Sequence, residues 1–348
     1  MTLRPEILRP VTDPVFLGTK VRALRSKILA GPELAKLASL PSPLALYQKI
    51  LGTDKEMTPS EAQRAVIVRH VNHLIRLLNL TGGAQHALFE WLVRRYQAEN
   101  LKVILRAWLR KLPFAEIEKD LLPLPKQFAL PFEQMLAAPD AATLISLVRV
   151  KELTGYARRV TPRFSQDPRA FYLEAAIDKA YYKRAIELAE ALGRDDKEPC
   201  LHILKTEIMC YNLLFVLRCM QIYELSKESF ADLVVEHSHF SSKSYIDSVG
   251  AAPIERLLES VPSLKPVNPS GRPVTTLADL EEILARHLHR VVIWQYVVSG
   301  LDFGVVVAYY YMKYYELRDI LRLGEAIRLG VSASEARKRL ITAGEENV

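Results

Sequence analysis

A helix-forming pattern that occurs three times limits the fold of this chain more than any single motif. It reads x-(N/E)-L-x-x-(I/V)-L-R and lies in ENLKVILRAWLRK, YNLLFVLRCMQIY and YELRDILRLGEAI. In the first copy Leu101, Ile104 and Leu105 have the spacing that places apolar side chains on one helical face. The other copies keep this spacing, but Gly324 stands where the first has Trp108. The chain is therefore predicted to contain three copies of one helical unit.

A second predicted helix starts upstream of each copy at a nearly constant distance, and a proline-bearing loop precedes each start. Proline ends one helix and suits the first turn of the next, and Thr58 with Glu61 forms a capping box. These loops predict modules at residues 58–160, 161–262 and 263–348.

The third module lacks the last segment that the first two share, and the N-terminal part of the chain holds a helix and a second segment resembling it. Residues 1–57 are therefore predicted to complete the third module. That would bring the two ends of the chain together in a closed, pseudo-threefold arrangement.

The composition favours an all-α protein. Hydrophobic residues make up 49% and charged residues 25% of the chain, and only 14 of 348 residues are glycine. This balance is typical of a folded protein with helices and few tight turns. The formal charge of +7 is spread over short clusters, such as Arg94-Arg95. Scattered clusters are typical of solvated surface and do not favour a nucleic-acid binder, although attraction to anionic surfaces stays open.

Neither export nor a membrane span is predicted. The three cysteines form no CxxC pair, which fits a reducing compartment, and the N-terminus lacks the apolar core of a signal peptide. Residues 291–312 are long and apolar enough to span a bilayer, but Gln295 and Asp302 interrupt them. A buried pair of helical segments is predicted there instead, because a carboxylate in mid-membrane is costly.

No catalytic residue, cofactor site or metal site is predicted. The histidines form three close pairs without a supporting cysteine or carboxylate cluster: His70 and His73, His237 and His239, and His287 and His289. There is no phosphate-binding glycine loop, and the carboxylates have the spacing of exposed helix faces.

Polar residues recur around the repeated apolar stripe. Asn100, Asn212 and Glu316 precede it, and three arginines follow the same leucine: Arg106, Arg218 and Arg322. Two interpretations stay open. These residues could contact a partner or hold the modules together, or they could be surface groups repeated because the module is duplicated.

Nearly the whole chain resembles the C subunit of the archaeal and bacterial V-type (A/V-type) ATPases, which is equivalent to the d subunit of the vacuolar enzyme. The resemblance lies in VRALRSKIL, ENLKVILRA, DKAYYKRAIELA, TEIMCYNLLFVLR and AYYYMKYYELRDILRLGEAIRLG. The last segment is the most specific. Its Lys313, Glu316, Leu317, Arg318 and Ile320 match the family pattern Lys-x-x-Glu-(Ile/Leu)-Arg-Asn-(Ile/Leu).

Three positions depart from that family. Gln97 and Met209 stand where it tends to have Asp, and Asp319 stands where it has Asn. These changes leave the helical scaffold intact and put the polar contacts at those positions in doubt.

The resemblance implies a funnel of three similar helical domains on the cytoplasmic end of the membrane proteolipid rotor ring, with the shaft formed by the D and F subunits in its mouth. Such a protein is a non-catalytic coupler in proton or sodium transport and needs no cofactor. It touches the membrane only peripherally. The candidate partner contacts are Asn100, Arg106, Asn212, Arg218, Lys313, Glu316, Arg318 and Arg322.

Two other functions remain open from the sequence. Stacked helical modules commonly bind peptides or proteins, so an unrelated helical-repeat scaffold is the main alternative. A nucleic-acid binder that uses the scattered basic clusters is the other.

Overall fold

The computed structural model describes residues 14–29, 31–236, 246–249, 253–260, 267–268 and 273–342. Within these ranges the chain forms sixteen α-helices and no strand. The predicted all-α class is thus confirmed. The pair His237 and His239 lies outside the described residues, as does the predicted module boundary at 262.

The helices are numbered here in chain order. They are α1 (Pro14–Arg25), α2 (Gly31–Lys36), α3 (Pro43–Leu51), α4 (Pro59–Leu78), α5 (Gly83–Val93), α6 (Arg95–Leu109), α7 (Phe114–Ile117), α8 (Phe132–Leu136), α9 (Ala141–Ser146), α10 (Lys151–Gln166), α11 (Ala170–Glu190), α12 (Arg194–Leu217), α13 (Leu257–Ser260), α14 (Leu277–Val298), α15 (Phe303–Arg328) and α16 (Ala333–Lys338). A π-helical turn at Arg218–Ile222 extends α12.

Local sequence signals fix the starts of two long helices. At α4 the Glu61 amide donates to Thr58 Oγ1 over 3.2 Å and the Thr58 amide donates to Glu61 Oε2 over 2.7 Å, which is the predicted capping box. Thr276 and Asp279 form the same box at the start of α14. Both boxes satisfy amide groups that have no partner inside the helix.

The apolar run at residues 291–312 is divided between two helices, as predicted. Val298 ends α14, Phe303 begins α15, and the two helices pack against each other. The segment Arg194–Ile222 is long and apolar enough to cross a membrane by length and composition. The protein itself buries 72% of the most apolar window of that segment.

The three helices that carry the repeated pattern, α6, α12 and α15, lie in one continuous core. Helix α11 packs against α6 and α12, while α14 packs against α12 and α15. Helix α15 also contacts α1, α3 and α4. Four of its five tyrosines are buried, and Tyr309, Tyr310 and Tyr311 are each at most 1% exposed.

The N-terminal helices pack on the C-terminal part of the chain. The Gly31 amide donates to Thr342 Oγ1 over 3.2 Å, and Arg337 Nε donates to the Ala35 carbonyl over 2.9 Å. Gly324 lets α3 approach α15, because a Cβ at this position would lie 2.1 Å from Tyr47 Oη. The module boundaries and the threefold symmetry stay predictions.

Replacing Gly324 by Ala is expected to lower the free energy of unfolding by about 1–2 kcal/mol, because the added methyl overlaps Tyr47 in a packed interior. Urea unfolding measures this change. Combining Gly324→Ala with Tyr47→Leu should restore part of the loss.

The control is Gly155→Ala in α10, where an added Cβ would meet nothing within 4 Å. That change should be neutral or stabilise by up to about 1 kcal/mol through helix propensity. Equal stability of the wild type and the Gly324→Ala protein would disprove the close approach of α3.

Candidate functional site

A cavity of about 440 Å³ opens where α6, α11, α12, α14 and α15 meet. We call it the central cavity. Its described lining contains four cationic and four acidic residues: Arg95, Lys102, Arg218, Arg318, Glu99, Asp178, Glu207 and Glu281. All three pattern-carrying helices contribute to it, so this cavity is the place where a partner could contact every predicted module.

At its inner side lies a buried ion pair between α6 and α12. Arg95 donates to both carboxylate oxygens of Glu207, over 2.5 and 2.7 Å, and the two residues are 7% and 6% exposed. The hydroxyl of Tyr311 on α15 also donates to Glu207. Burial alone would lower the pKa of Arg95, but Glu207 together with Tyr181, Tyr310 and Tyr311 outweighs it, so that pKa is raised well above its ordinary value. The charged form is therefore held in place.

This pair was missed from the sequence, and Arg94-Arg95 was interpreted as solvated surface. For Arg95 that interpretation is wrong. The side chain of Arg94 is 16% exposed and pairs with Glu90 one turn away, whereas Arg95 points into the core. Neighbouring helical residues face different directions, so the dipeptide gave no signal of which arginine is buried.

Asn100 and Asn212 each fasten a downstream loop to their own helix. Asn100 Nδ2 donates to the Leu122 carbonyl and Asn100 Oδ1 accepts from the Leu122 amide, both over 2.8 Å. Asn212 makes the same two bonds with Val235, over 2.9 and 3.0 Å. Both asparagines are at most 1% exposed. We call this paired bond the asparagine clamp.

In the third copy Asp319 takes the place of the clamp residue. Its carboxylate accepts from the Ile341 and Thr342 amides over 3.0 and 2.9 Å, and from Thr342 Oγ1 over 2.9 Å. The matching of Glu316 with Asn100 and Asn212 is thus wrong by three residues. The error arose because the pattern was matched on the Leu-Arg dipeptide, whereas in the clamp register Gly324-Glu325, three residues after Leu321-Arg322, correspond to Leu105-Arg106.

The clamp also explains why Asp stands at position 319, where the family that the chain resembles has Asn. All three groups facing Asp319 are donors, so a carboxylate satisfies them and an amide NH₂ would not. At the other two positions that depart from the family, the side chains are also buried. Gln97 accepts from Arg94 over 3.1 Å, and Met209 lies in the core at 7% exposure.

An ion pair joins consecutive predicted modules at matching positions of the repeated pattern. Arg106 on α6 binds both oxygens of Glu174 on α11, over 2.7 and 2.9 Å. Arg218 binds Glu281 on α14 over 2.9 Å. The third equivalent carboxylate, Glu61, bonds instead to Thr58 at the start of its own helix. Because the arginines are 51% and 43% exposed, each pair contributes at most about 1 kcal/mol to stability.

The remaining candidate residues lie on α15 in two different places. Arg318 lines the central cavity, 5.6 Å from the Tyr314 ring. Arg322 lies one turn further on, beside a groove that also contains Glu281 and Glu325. Burial lowers the pKa of Arg322, and the neighbouring Arg318 lowers it further. Partner contact by these residues stays a prediction.

Lys313 and Glu316 pair with each other on another side of α15, at a cavity formed with the N-terminal helices. Glu316 Oε1 also accepts from the Leu29 amide over 2.8 Å. The structure therefore places two of the eight candidates in the asparagine clamps, two at the N-terminal helices and four around or near the central cavity.

Two histidines of the described residues make hydrogen bonds with tyrosines. His70 Nε2 lies 2.7 Å from Tyr96 Oη, and His73 Nε2 lies 2.9 Å from Tyr309 Oη. In the described part of the chain no group of three His, Cys, Asp or Glu side chains has the arrangement of a metal site.

Exchanging the clamp residues should destabilise the protein in both directions. Asp319→Asn places NH₂ against a donor, and Asn212→Asp removes the donor to the Val235 carbonyl. Each is expected to cost about 1–3 kcal/mol. Urea unfolding measures the loss, with Asp140→Asn as the control, because Asp and Asn cap helices equally well. An Asp319→Asn protein of unchanged stability would contradict the three-donor arrangement.

Breaking the buried pair should be the most damaging change. Glu207→Gln is expected to cost about 3–5 kcal/mol, because it leaves Arg95 charged and unpaired. The double variant Arg95→Met with Glu207→Leu should be markedly more stable than the single change. The exposed pair Arg328 and Glu325 serves as the control, with an expected loss below about 1 kcal/mol on alanine substitution. Thermal or urea unfolding measures the loss of stability in each variant. If the losses at Arg95 and Glu207 simply add, the two residues are not a coupled pair.

The sequence model of the ATP synthase (C/AC39) subunit family matches residues 17–339. No curated protein sequence matches the chain. The family match covers the N-terminal helices, the asparagine clamps and the central cavity, and therefore most of the 348 residues. The chain belongs to the ATP synthase (C/AC39) subunit family, the family that includes the C subunit of V-type ATPases.

Proposed function

We propose that the protein is a non-catalytic central-stalk component of a V-type (A/V-type) rotary ATPase or ATP synthase. It acts as a socket that couples the shaft formed by the D and F subunits to the membrane proteolipid rotor ring, in proton or sodium transport. The observation that carries this proposal is the central cavity, which helices of all three predicted modules surround.

A coupler has to transmit torque without deforming, and the contacts around this cavity supply stiffness. The Arg95–Glu207 pair and Tyr311 tie α6, α12 and α15 together in the core. The asparagine clamps fasten the loops that follow α6 and α12. Close packing of such an interior resists compression, so a force applied at one end is passed on to the other.

The proposed shaft contacts are the arginines around the cavity. Arg106 and Arg218 are half-exposed, but each holds a carboxylate of the next module. Arg318 and Arg322 lie one helical turn apart and half-buried, and they are the strongest candidates for binding acidic side chains. Asn100 and Asn212 would act indirectly by holding the frame.

The protein is proposed to lie on the cytoplasmic face of the membrane and to touch it peripherally. Lys313 and Glu316 lie away from the central cavity and would contact a partner only at the N-terminal helices. A three-module socket on a ring of different symmetry cannot repeat its contacts around the circle, so a broad interface is expected.

Purified protein is expected to capture the D–F complex, and tagged protein should co-purify with D, F and the proteolipid from native membranes. Arg318→Ala with Arg322→Ala should weaken D–F binding about tenfold or more, because two charged contacts are removed. Biolayer interferometry at several salt concentrations measures the affinity.

The matched control is Arg328→Ala, an exposed arginine at the end of α15 that pairs with Glu325. It should leave D–F binding unchanged. If the double variant binds as tightly as the wild type, the arginines are not shaft contacts. If D, F and the proteolipid are all absent from the purified material, the socket function is excluded.

A further inference from the structure

A second, larger cavity lies away from the centre, between α1, α3, α4 and α15, and measures about 900 Å³. We call it the N-terminal cavity. Its floor is aliphatic and includes Leu24, Ile50, Val66, Leu77, Leu317 and Ile320. Of the described residues that line it, Tyr309 is the one aromatic residue other than histidine. A floor of this kind suits hydrocarbon chains better than the flat face of a nucleotide base.

Positive charge surrounds the opening. Six cationic residues of the described lining face two carboxylates. Five of the cations are exposed, on α1, α3, α4 and the turn after α1: Lys20, Lys27, Lys49, Arg69 and Arg76. One of the carboxylates, Glu316, is already engaged by Lys313 and the Leu29 amide. The opening is therefore strongly electropositive.

The half-buried histidine at this opening responds to that charge. The pKa of His73 is lowered to about 4, first by burial and then by Lys313, Arg76, Arg69 and Lys20. His73 is therefore neutral near pH 7 and adds nothing to the positive charge. An anion that entered the opening would be met by the lysines and arginines.

We propose that the N-terminal cavity binds an anionic phospholipid, with the phosphate at the cationic opening and the upper acyl carbons on the aliphatic floor. Two chemistries in one cavity identify an amphiphile, because a free phosphate would leave the floor empty and a neutral lipid would leave the cations unpaired.

An exposed apolar surface where α1 meets the end of α14 also fits a membrane as the source of the ligand. Phe16, Trp294, Val297, Val298 and Leu301 are between 40% and 60% exposed. Lys20 Nζ lies 5.6 Å from the Phe16 ring, so Phe16 adjoins a basic residue of the cavity lining.

Arg22 also ties α1 to this surface by donating to the Gly300 carbonyl over 2.9 Å. Exposed aromatic and basic side chains together are typical of surfaces that rest at a membrane interface. The supply of lipid rests on the proposed function, which places the protein beside a bilayer.

The test measures binding of soluble dihexanoyl phosphatidylglycerol to the full chain by isothermal titration calorimetry. Dihexanoyl phosphatidylcholine, glycerol 3-phosphate, inorganic phosphate and ADP are the comparison ligands. Only the phosphatidylglycerol is expected to bind well. Lys49→Gln with Arg76→Gln should weaken its binding about 10- to 30-fold, since each basic residue near an anionic lipid contributes a comparable factor.

The control variant is Lys55→Gln with Arg64→Gln, which removes two exposed charges outside the cavity. It should leave the affinity unchanged. Sedimentation with vesicles of phosphatidylcholine alone, or with about one quarter phosphatidylglycerol, should show the same ranking. The proposal is overturned if glycerol 3-phosphate or ADP binds as tightly as phosphatidylglycerol. It is also overturned if both double variants lose the same affinity for phosphatidylglycerol.

A D–F capture assay on the same variants separates this inference from the socket function. The Lys49→Gln, Arg76→Gln protein should capture D–F normally. If D–F competes with phosphatidylglycerol for the cavity, the cavity is a protein-docking site and the lipid proposal is wrong. Lipid binding without any D–F capture would reject the socket and leave the lipid site standing.

Discussion

The architecture depends on the buried Arg95–Glu207 pair. Moving two charges out of water is costly, and the mutual attraction repays this cost only when geometry and the remaining hydrogen bonds are good. Here the guanidinium donates to both carboxylate oxygens, and Tyr311 completes the shell from a third helix. A shift of α6 or α12 would leave a charge unpaired, and a shift of α15 would remove the hydroxyl that donates to Glu207. The pair therefore fixes how the three pattern-carrying helices meet around the central cavity.

The first two junctions between the predicted modules have the same chemistry, and the third differs because the N-terminal helices cover it. Arg106–Glu174 and Arg218–Glu281 are equivalent ion pairs. At the third junction Gly324 makes room for Tyr47, so packing replaces the exposed ion pair. Burial and Glu325 raise the pKa of Tyr47 to about 12, so its hydroxyl stays neutral in this contact. Because the third junction differs from the other two, the surface of the molecule at that junction also differs.

The sequence predicted what depends on neighbouring residues. The all-α class, the Thr58 capping box and the division of residues 291–312 into two helices all follow from local spacing and composition. The sequence did not predict what depends on distant residues. The register of the third copy was wrong because Leu321-Arg322 fits the repeated pattern three residues before the clamp register, and only the bonds from Ile341 and Thr342 identify Asp319 as the clamp. The burial of Arg95 depends on Glu207, more than a hundred residues away in the chain.

The distribution of charge shows most clearly what folding adds. Along the chain the net charge of +7 is scattered over short clusters, which predicts no particular binding site. In the fold, cations from α1, α3, α4 and α15 surround one aliphatic cavity, whereas the described lining of the central cavity has as many acidic as basic residues. A balanced cavity gives little long-range attraction and selects a partner by the fit of individual pairs, but an electropositive one attracts anions at a distance. The two cavities are therefore suited to different ligands, a shaped protein surface at the centre and an anionic amphiphile at the N-terminal helices.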